Sequence, residues 1–135
     1  REGLLAIGDD GFALINLRGK RVGLDEVAAW RTERQRRLQH EMGAGDVNSD
    51  GYTDLVLLDA GEQMCEILTF SETGRLLPAT EFKVFESRLF SAGDVREFQP
   101  SQVFIADVTG DNAEDIILLC HDRLLIYPQM DRAEE

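Results

Sequence analysis

The chain has 135 residues, of which 26 are acidic and 14 basic, for a formal charge of −12, and 43% are hydrophobic. That length is one domain's worth of chain. The acidity excludes a nucleic-acid partner, whose phosphates need a basic face, and an anionic membrane surface. No apolar stretch approaches the roughly twenty residues of a membrane span, so no membrane insertion is expected, and no signal-peptide pattern is present.

In chain order, the first element is a hairpin. Glu2 to Ile15 sets two apolar runs around a polar turn at Gly8 to Gly11. This stretch lies without gaps over Glu114 to Tyr127. On that register Gly3 falls where Asp115 stands, so the chain is expected to begin just after the end of an earlier unit, as a trimmed repeat would. The next segment, Asp25 to His40, has Val27, Ala28, Arg31, Arg34 and Leu38 at helical spacing. Strand is preferred, with a local helical turn over Arg31 to Arg37. Gly19, Glu26, Val27 and Trp30 recur 55 residues later as Gly74, Glu81, Phe82 and Phe85, and the second copy, Thr80 to Phe85, alternates in period two.

An entering strand, Leu38 to Ala44, leads into the densest cluster of oxygen donors in the chain. Asp46, Asn48 and Asp50 alternate along a tight loop, Tyr52 offers its carbonyl, and Asp54 closes the set just before Leu55-Val56-Leu57-Leu58. Hard cations such as Ca²⁺ take six to eight oxygens, and short Asp and Asn side chains at alternate positions supply them without long flexible arms. An EF-hand is excluded. That motif needs a bidentate Glu at its twelfth position and a helix on each side, whereas Leu57 stands there and an aliphatic strand follows. The alternative is a metal-free turn, since Asp, Asn and Gly dominate turns.

The pattern returns 61 residues on, from 46 to 107: Asp107, Thr109, Asp111, the carbonyl of Ala113 and Asp115, then Ile116-Ile117-Leu118-Leu119. Thr109 offers a hydroxyl where Asn48 offers an amide oxygen, and Asn112 stands in place of Gly51. Weaker binding is expected on both counts. Loops at a fixed period of several tens of residues mark solenoids and propellers. Between the two loops the strands are expected at Leu55 to Leu58, Met64 to Phe70 and Glu81 to Phe85, with turns at Asp59 to Gln63 and Ser71 to Gly74. Val103 to Ala106 enters the second loop. Four antiparallel strands per unit make a propeller blade, so the expected class is all-β, with about two blades and a remnant.

These loops resemble the FG-GAP or VCBS repeats of integrin-α-like β-propellers, whose signature is Asp-x-Asn-x-Asp-Gly-x-x-Asp followed by a short aliphatic strand. Asp46 to Leu58 matches it fully, and Asp107 to Leu119 departs at Thr109 and Asn112. The resemblance implies a structural calcium ion in each blade's first hairpin. It divides the chain into a partial blade with its entering strand at 1–45, a blade with the first calcium loop at 46–106, and the start of another with the second loop at 107–135. A propeller ring needs roughly four to eight blades, so closure implies self-association or the remainder of a longer chain.

Elsewhere the residues offer little chemistry. Cys65 and Cys120 do not occupy equivalent repeat positions; a disulfide is open to them, but buried free thiols are the commoner case. His40 and His121 are the only candidate bases near neutral pH, and no nucleophile is placed beside them. Gly43-Ala44-Gly45 leads into acid, unlike a phosphate loop. The expected function is therefore non-catalytic: a calcium-stabilised scaffold that binds a protein or carbohydrate ligand. Weak structural calcium sites fill at extracellular concentrations, which points to a secreted, extracellular or periplasmic, location. The alternative is the structural propeller portion of a larger secreted enzyme, such as a polysaccharide lyase or a phospholipase.

Overall fold

The computed structural model describes residues 3–7, 12–18, 21–26, 40–59, 63–71, 75–84, 100–120 and 123–129. Every regular element among them is a β-strand: β1 (Gly3–Ile7), β2 (Phe12–Arg18), β3 (Arg21–Glu26), β4 (His40–Gly45), β5 (Asp54–Asp59), β6 (Met64–Phe70), β7 (Leu76–Lys83), β8 (Gln102–Ala106), β9 (Asp115–Leu119) and β10 (Leu124–Tyr127). They form three open sheets in the orders β1-β2-β3, β4-β5-β6-β7 and β10-β9-β8. The protein is thus all-β, and its four-stranded antiparallel meander has the strand count and order of a propeller blade. By contacts the chain divides into two compact units, 1–35 with 70–77, and 36–69 with 78–135.

In the first unit β1 and β2 form the expected hairpin. Ile7 pairs with Phe12 and Leu4 with Ile15. The corresponding residues of the later repeat pair alike, Leu119 with Leu124 and Ile116 with Tyr127, so the gapless match between the two segments is a match of hydrogen-bond register. Asp25 and Glu26 end β3, and the helix-or-strand alternative beyond them lies outside the described residues.

In the second unit the central strands β5 and β9 are continuous aliphatic runs, flanked by a strand on each side and buried along successive residues. All six residues of β5 are buried, as are Asp115 to Leu118 of β9. Period two then assigns Val56 and Leu58, with Ile116 and Leu118, to a common core that also takes Cys65, Val84 and Val103. Phe82 and Tyr127 extend it, their ring centroids 5.1 Å apart and tilted by 50°. The four-stranded and β8–β10 sheets therefore pack on one another.

The fourth strand begins five residues before its expected start at Glu81, at Leu76. Pro78 interrupts the sequence pattern there, but β7 is an edge strand, where a residue without an N–H breaks no ladder. Ser71 N–H donates to the Arg75 carbonyl at 2.8 Å across the expected turn. At the other edge β4 lies close against β8. A Cβ on Gly43 would stand 3.0 Å from Ile105 Cγ1, and one on Gly45 would lie 2.5 Å from Glu114 Oε2 and overlap the Ile105 Cγ2 methyl. Close approach of two strands is what these glycines serve. Gly45→Ala is expected to destabilise the protein by about 1–3 kcal/mol through overpacking, seen as a lower urea midpoint at unchanged m-value.

Both cysteines are buried free thiols. Burial, helped by the charge of Glu66, pushes the Cys65 thiol from its ordinary 9.0 up to about 12. The folded state then holds a proton that the unfolded chain releases, so stability is full below pH 9 and falls as pH rises from there toward 12. Cys65 is expected to resist a thiol-specific chromogenic reagent at pH 8 until denaturant is added, and a Cys65→Ala variant should lose less stability across the alkaline range.

Candidate metal site

The two Asp loops span the tight connections from β4 to β5 and from β8 to β9, and each closes on the first residue of a central strand. Asp54 and Asp115 are fully buried. A carboxylate in that position must be compensated, and the loop is wound so that its own N–H groups reach it.

The windings correspond in outline, differing in which mid-loop amides reach the first Asp. The first Asp collects amides from mid-loop: Asp46 accepts from Asp50 N–H (3.1 Å) and Gly51 N–H (2.9 Å), and Asp107 from Gly110 N–H (2.6 Å) and Asn112 N–H (3.0 Å). The fifth-position Asp takes the amide two residues on, Tyr52 N–H to Asp50 at 2.8 Å and Ala113 N–H to Asp111 at 2.9 Å. The closing Asp takes the second amide, Val47 N–H to Asp54 at 3.1 Å and Val108 N–H to Asp115 at 3.0 Å. Two loops of different sequence thus share one Asx-built frame.

Both loops need left-handed backbone at their fourth and sixth positions. Ser49 and Gly51 have φ of +56° and +83°, and Gly110 and Asn112 have +81° and +68°. Each loop therefore carries one glycine and one strained residue, in exchanged places. The expected conformational handicap of Asn112 is offset by Gly110, and backbone strain does not rank the loops. A Cβ on Gly51 or Gly110 would meet nothing within 4 Å. The expected cost of Gly51→Ala or Gly110→Ala is then purely conformational, about 1–2 kcal/mol, measurable by urea unfolding in the presence of chelator.

What does rank them is the closing carboxylate. Asp115 accepts from Thr109 N–H (3.1 Å) and Gln129 N–H (3.0 Å) as well as Val108, so amides reach both of its oxygens. Led by the Val108 amide, these bonds outweigh burial and hold its carboxyl below the ordinary range. At Asp54 burial dominates and pushes the carboxyl up, against the Thr69 hydroxyl and the Val47 amide and with repulsion from Asp50 and Asp46. Asp54 Oδ1 is shielded from solvent and has no hydrogen-bond partner. Asn48 turns its Oδ1 to Asp50 N–H at 2.9 Å and its Nδ2 toward Thr69 Oγ1 at 3.4 Å.

Among the described residues no three His, Cys, Asp or Glu side chains form a ready-made metal cluster; the loop carboxylates face backbone N–H groups. Each such oxygen keeps a second lone pair, and the first loop adds the orphaned buried oxygen of Asp54, so its donor set of Asp46, Asn48, Asp50, the Tyr52 carbonyl and Asp54 fits a hard cation. In the second loop Asp107, Thr109, Asp111, the Ala113 carbonyl and Asp115 lie in the same order, but the closing carboxylate is already satisfied. Thr69, Gln129 and Glu114 are additions that sequence spacing did not supply. His40 opens β4, and His121 lies outside the described residues.

No family model matches the chain, and no curated protein or solved structure is significantly similar to it.

Proposed function

We propose that this protein is a calcium-binding, non-catalytic segment of an FG-GAP/VCBS-type β-propeller, a secreted scaffold for a protein or carbohydrate ligand. The observation that carries the reading is Asp54 Oδ1, a buried carboxylate oxygen without a partner at the closing position of a loop rich in oxygen donors. Folding a buried carboxylate with an unmet lone pair is costly, and a cation at that point would remove the cost. Asp46, Asn48, Asp50, the Tyr52 carbonyl and Asp54 would hold the ion, which when bound supplies positive charge to three crowded carboxylates. The chain's own part is to wind the loop on Asx turns and to start β5 on the last ligand.

The scaffold reading also draws support from the β8–β10 sheet. Phe104, Leu124 and Ile126 share one of its faces and are about half exposed. An apolar sheet face of this kind suits coverage by a further sheet, from the rest of a longer chain or from another copy.

Calorimetric titration of metal-stripped protein with calcium is expected to show binding that Asp50→Ala abolishes. A site at a hundredfold excess of free calcium over its dissociation constant would add about 2.7 kcal/mol, so a chelator should lower the melting temperature by several degrees or more. The second loop should bind more weakly, since Gln129 N–H already occupies Asp115. A melt indifferent to chelator and to millimolar calcium, with no heat of binding, would reduce both loops to Asx turns.

A further inference from the structure

The first loop does not stand alone. Glu114, at the eighth position of the second loop, reaches the four-stranded sheet and accepts the backbone N–H of Asp46 through Oε2 at 2.5 Å, a contact between residues 68 apart in sequence. Asp46 is the first residue of the first loop, and its amide is bonded by Glu114 from the neighbouring sheet rather than by a carboxylate of its own loop. Its own side chain is meanwhile occupied by Asp50 N–H and Gly51 N–H. Asp46 is thereby held at both ends, its carboxylate by the loop and its amide by the neighbouring sheet.

The approach is built into the backbone. Gly45 precedes Asp46, and a Cβ there would lie 2.5 Å from Glu114 Oε2, so only glycine leaves the carboxylate a path to the amide. Ile105 of β8 fills the remaining space beside Gly43 and Gly45, fixing β4 against the sheet that carries Glu114. A charged acceptor on a partly buried amide makes one of the stronger kinds of hydrogen bond. Thr53 holds the equivalent eighth position in the first loop and is exposed, its side chain too short for the same reach.

We propose that Glu114 is a positioning residue for the first loop's cation site, so that this site is completed by the following sheet and calcium there couples the two sheets. The inference rests on the reading of the first loop as a calcium site. Glu114 acts through Asp46 and touches no metal. Holding the amide fixes where the first ligand of the loop begins, and outer groups that orient a metal's ligands are commonly worth tenfold or more in affinity. Calcium at the first loop should in turn tighten the contact, because coupling between sites is reciprocal.

The test uses the whole chain, with calcium as the titrant, in three variants. Glu114→Ala is expected to weaken calcium binding at the first loop about tenfold and to speed hydrogen exchange of the Asp46 amide. Glu114→Gln keeps an acceptor oxygen while removing the charge, and is expected to stay within about threefold of wild type; it also serves should Glu114→Ala fold poorly. Asp50→Ala marks the first loop by abolishing its binding. Wild-type binding that is lost in Asp50→Ala yet unchanged in Glu114→Ala would overturn the coupling and leave the calcium reading standing. No binding by wild type would overturn both. A Glu114→Gln variant as weak as Glu114→Ala would also overturn it, because charge alone would then be at work.

Discussion

A buried carboxylate at the start of each central strand is the constraint on which this architecture turns. Asp54 and Asp115 are fully buried, and an ionised group in that position must find donors or a cation. The strand that follows is aliphatic on both faces and offers neither. Part of the compensation comes from the loop that leads in, which doubles back and brings its second amide onto the carboxylate in both copies. Left-handed residues at the fourth and sixth positions accompany that winding in both loops.

The two copies meet the constraint in different ways. Around Asp115 the chain brings amides from Val108, Thr109 and, from beyond β10, Gln129. Around Asp54 one oxygen is left without a partner, and burial, helped by repulsion from Asp50 and Asp46, pushes its carboxyl up. Two loops can thus share a backbone frame and still differ at the closing carboxylate, because the frame is set by Asx turns whereas the donor to one oxygen of Asp115 is Gln129, from outside the loop.

Sheet packing depends on the same region. β4 carries Gly43 and Gly45 immediately before the first loop, and there β8 approaches closely, with Ile105 against both. Removing side chains from one strand lets the other strand's side chains fill the gap, which costs backbone entropy and gains close packing. It also sets the loop beside Glu114, so the loop and the packing of the sheets share one set of contacts.

Much of this was legible in the residues. Alternating oxygen-bearing side chains closed by an Asp marked both loops, the unbroken Leu55–Leu58 and Ile116–Leu119 runs marked buried central strands, and the gapless match of Glu2–Ile15 to Glu114–Tyr127 carried strand register, because side-chain period and turn length are local properties. The start of β7 was not legible, since Pro78 argues against strand unless the strand is known to lie at an edge. Nor was the parity of strain between the loops: Ser49 and Gly110 look unremarkable until their φ values show that each offsets its counterpart. Glu114 on Asp46 and Gln129 on Asp115 could not be read at all, being contacts across 68 and 14 residues. The sequence alone determined the strands, the matching hairpins and the oxygen-rich loops, because each of these is set by spacing within a few residues. Only the tertiary structure decided which buried carboxylate is left wanting a partner, because that depends on which distant amide or side chain the packing of the sheets brings within hydrogen-bonding reach.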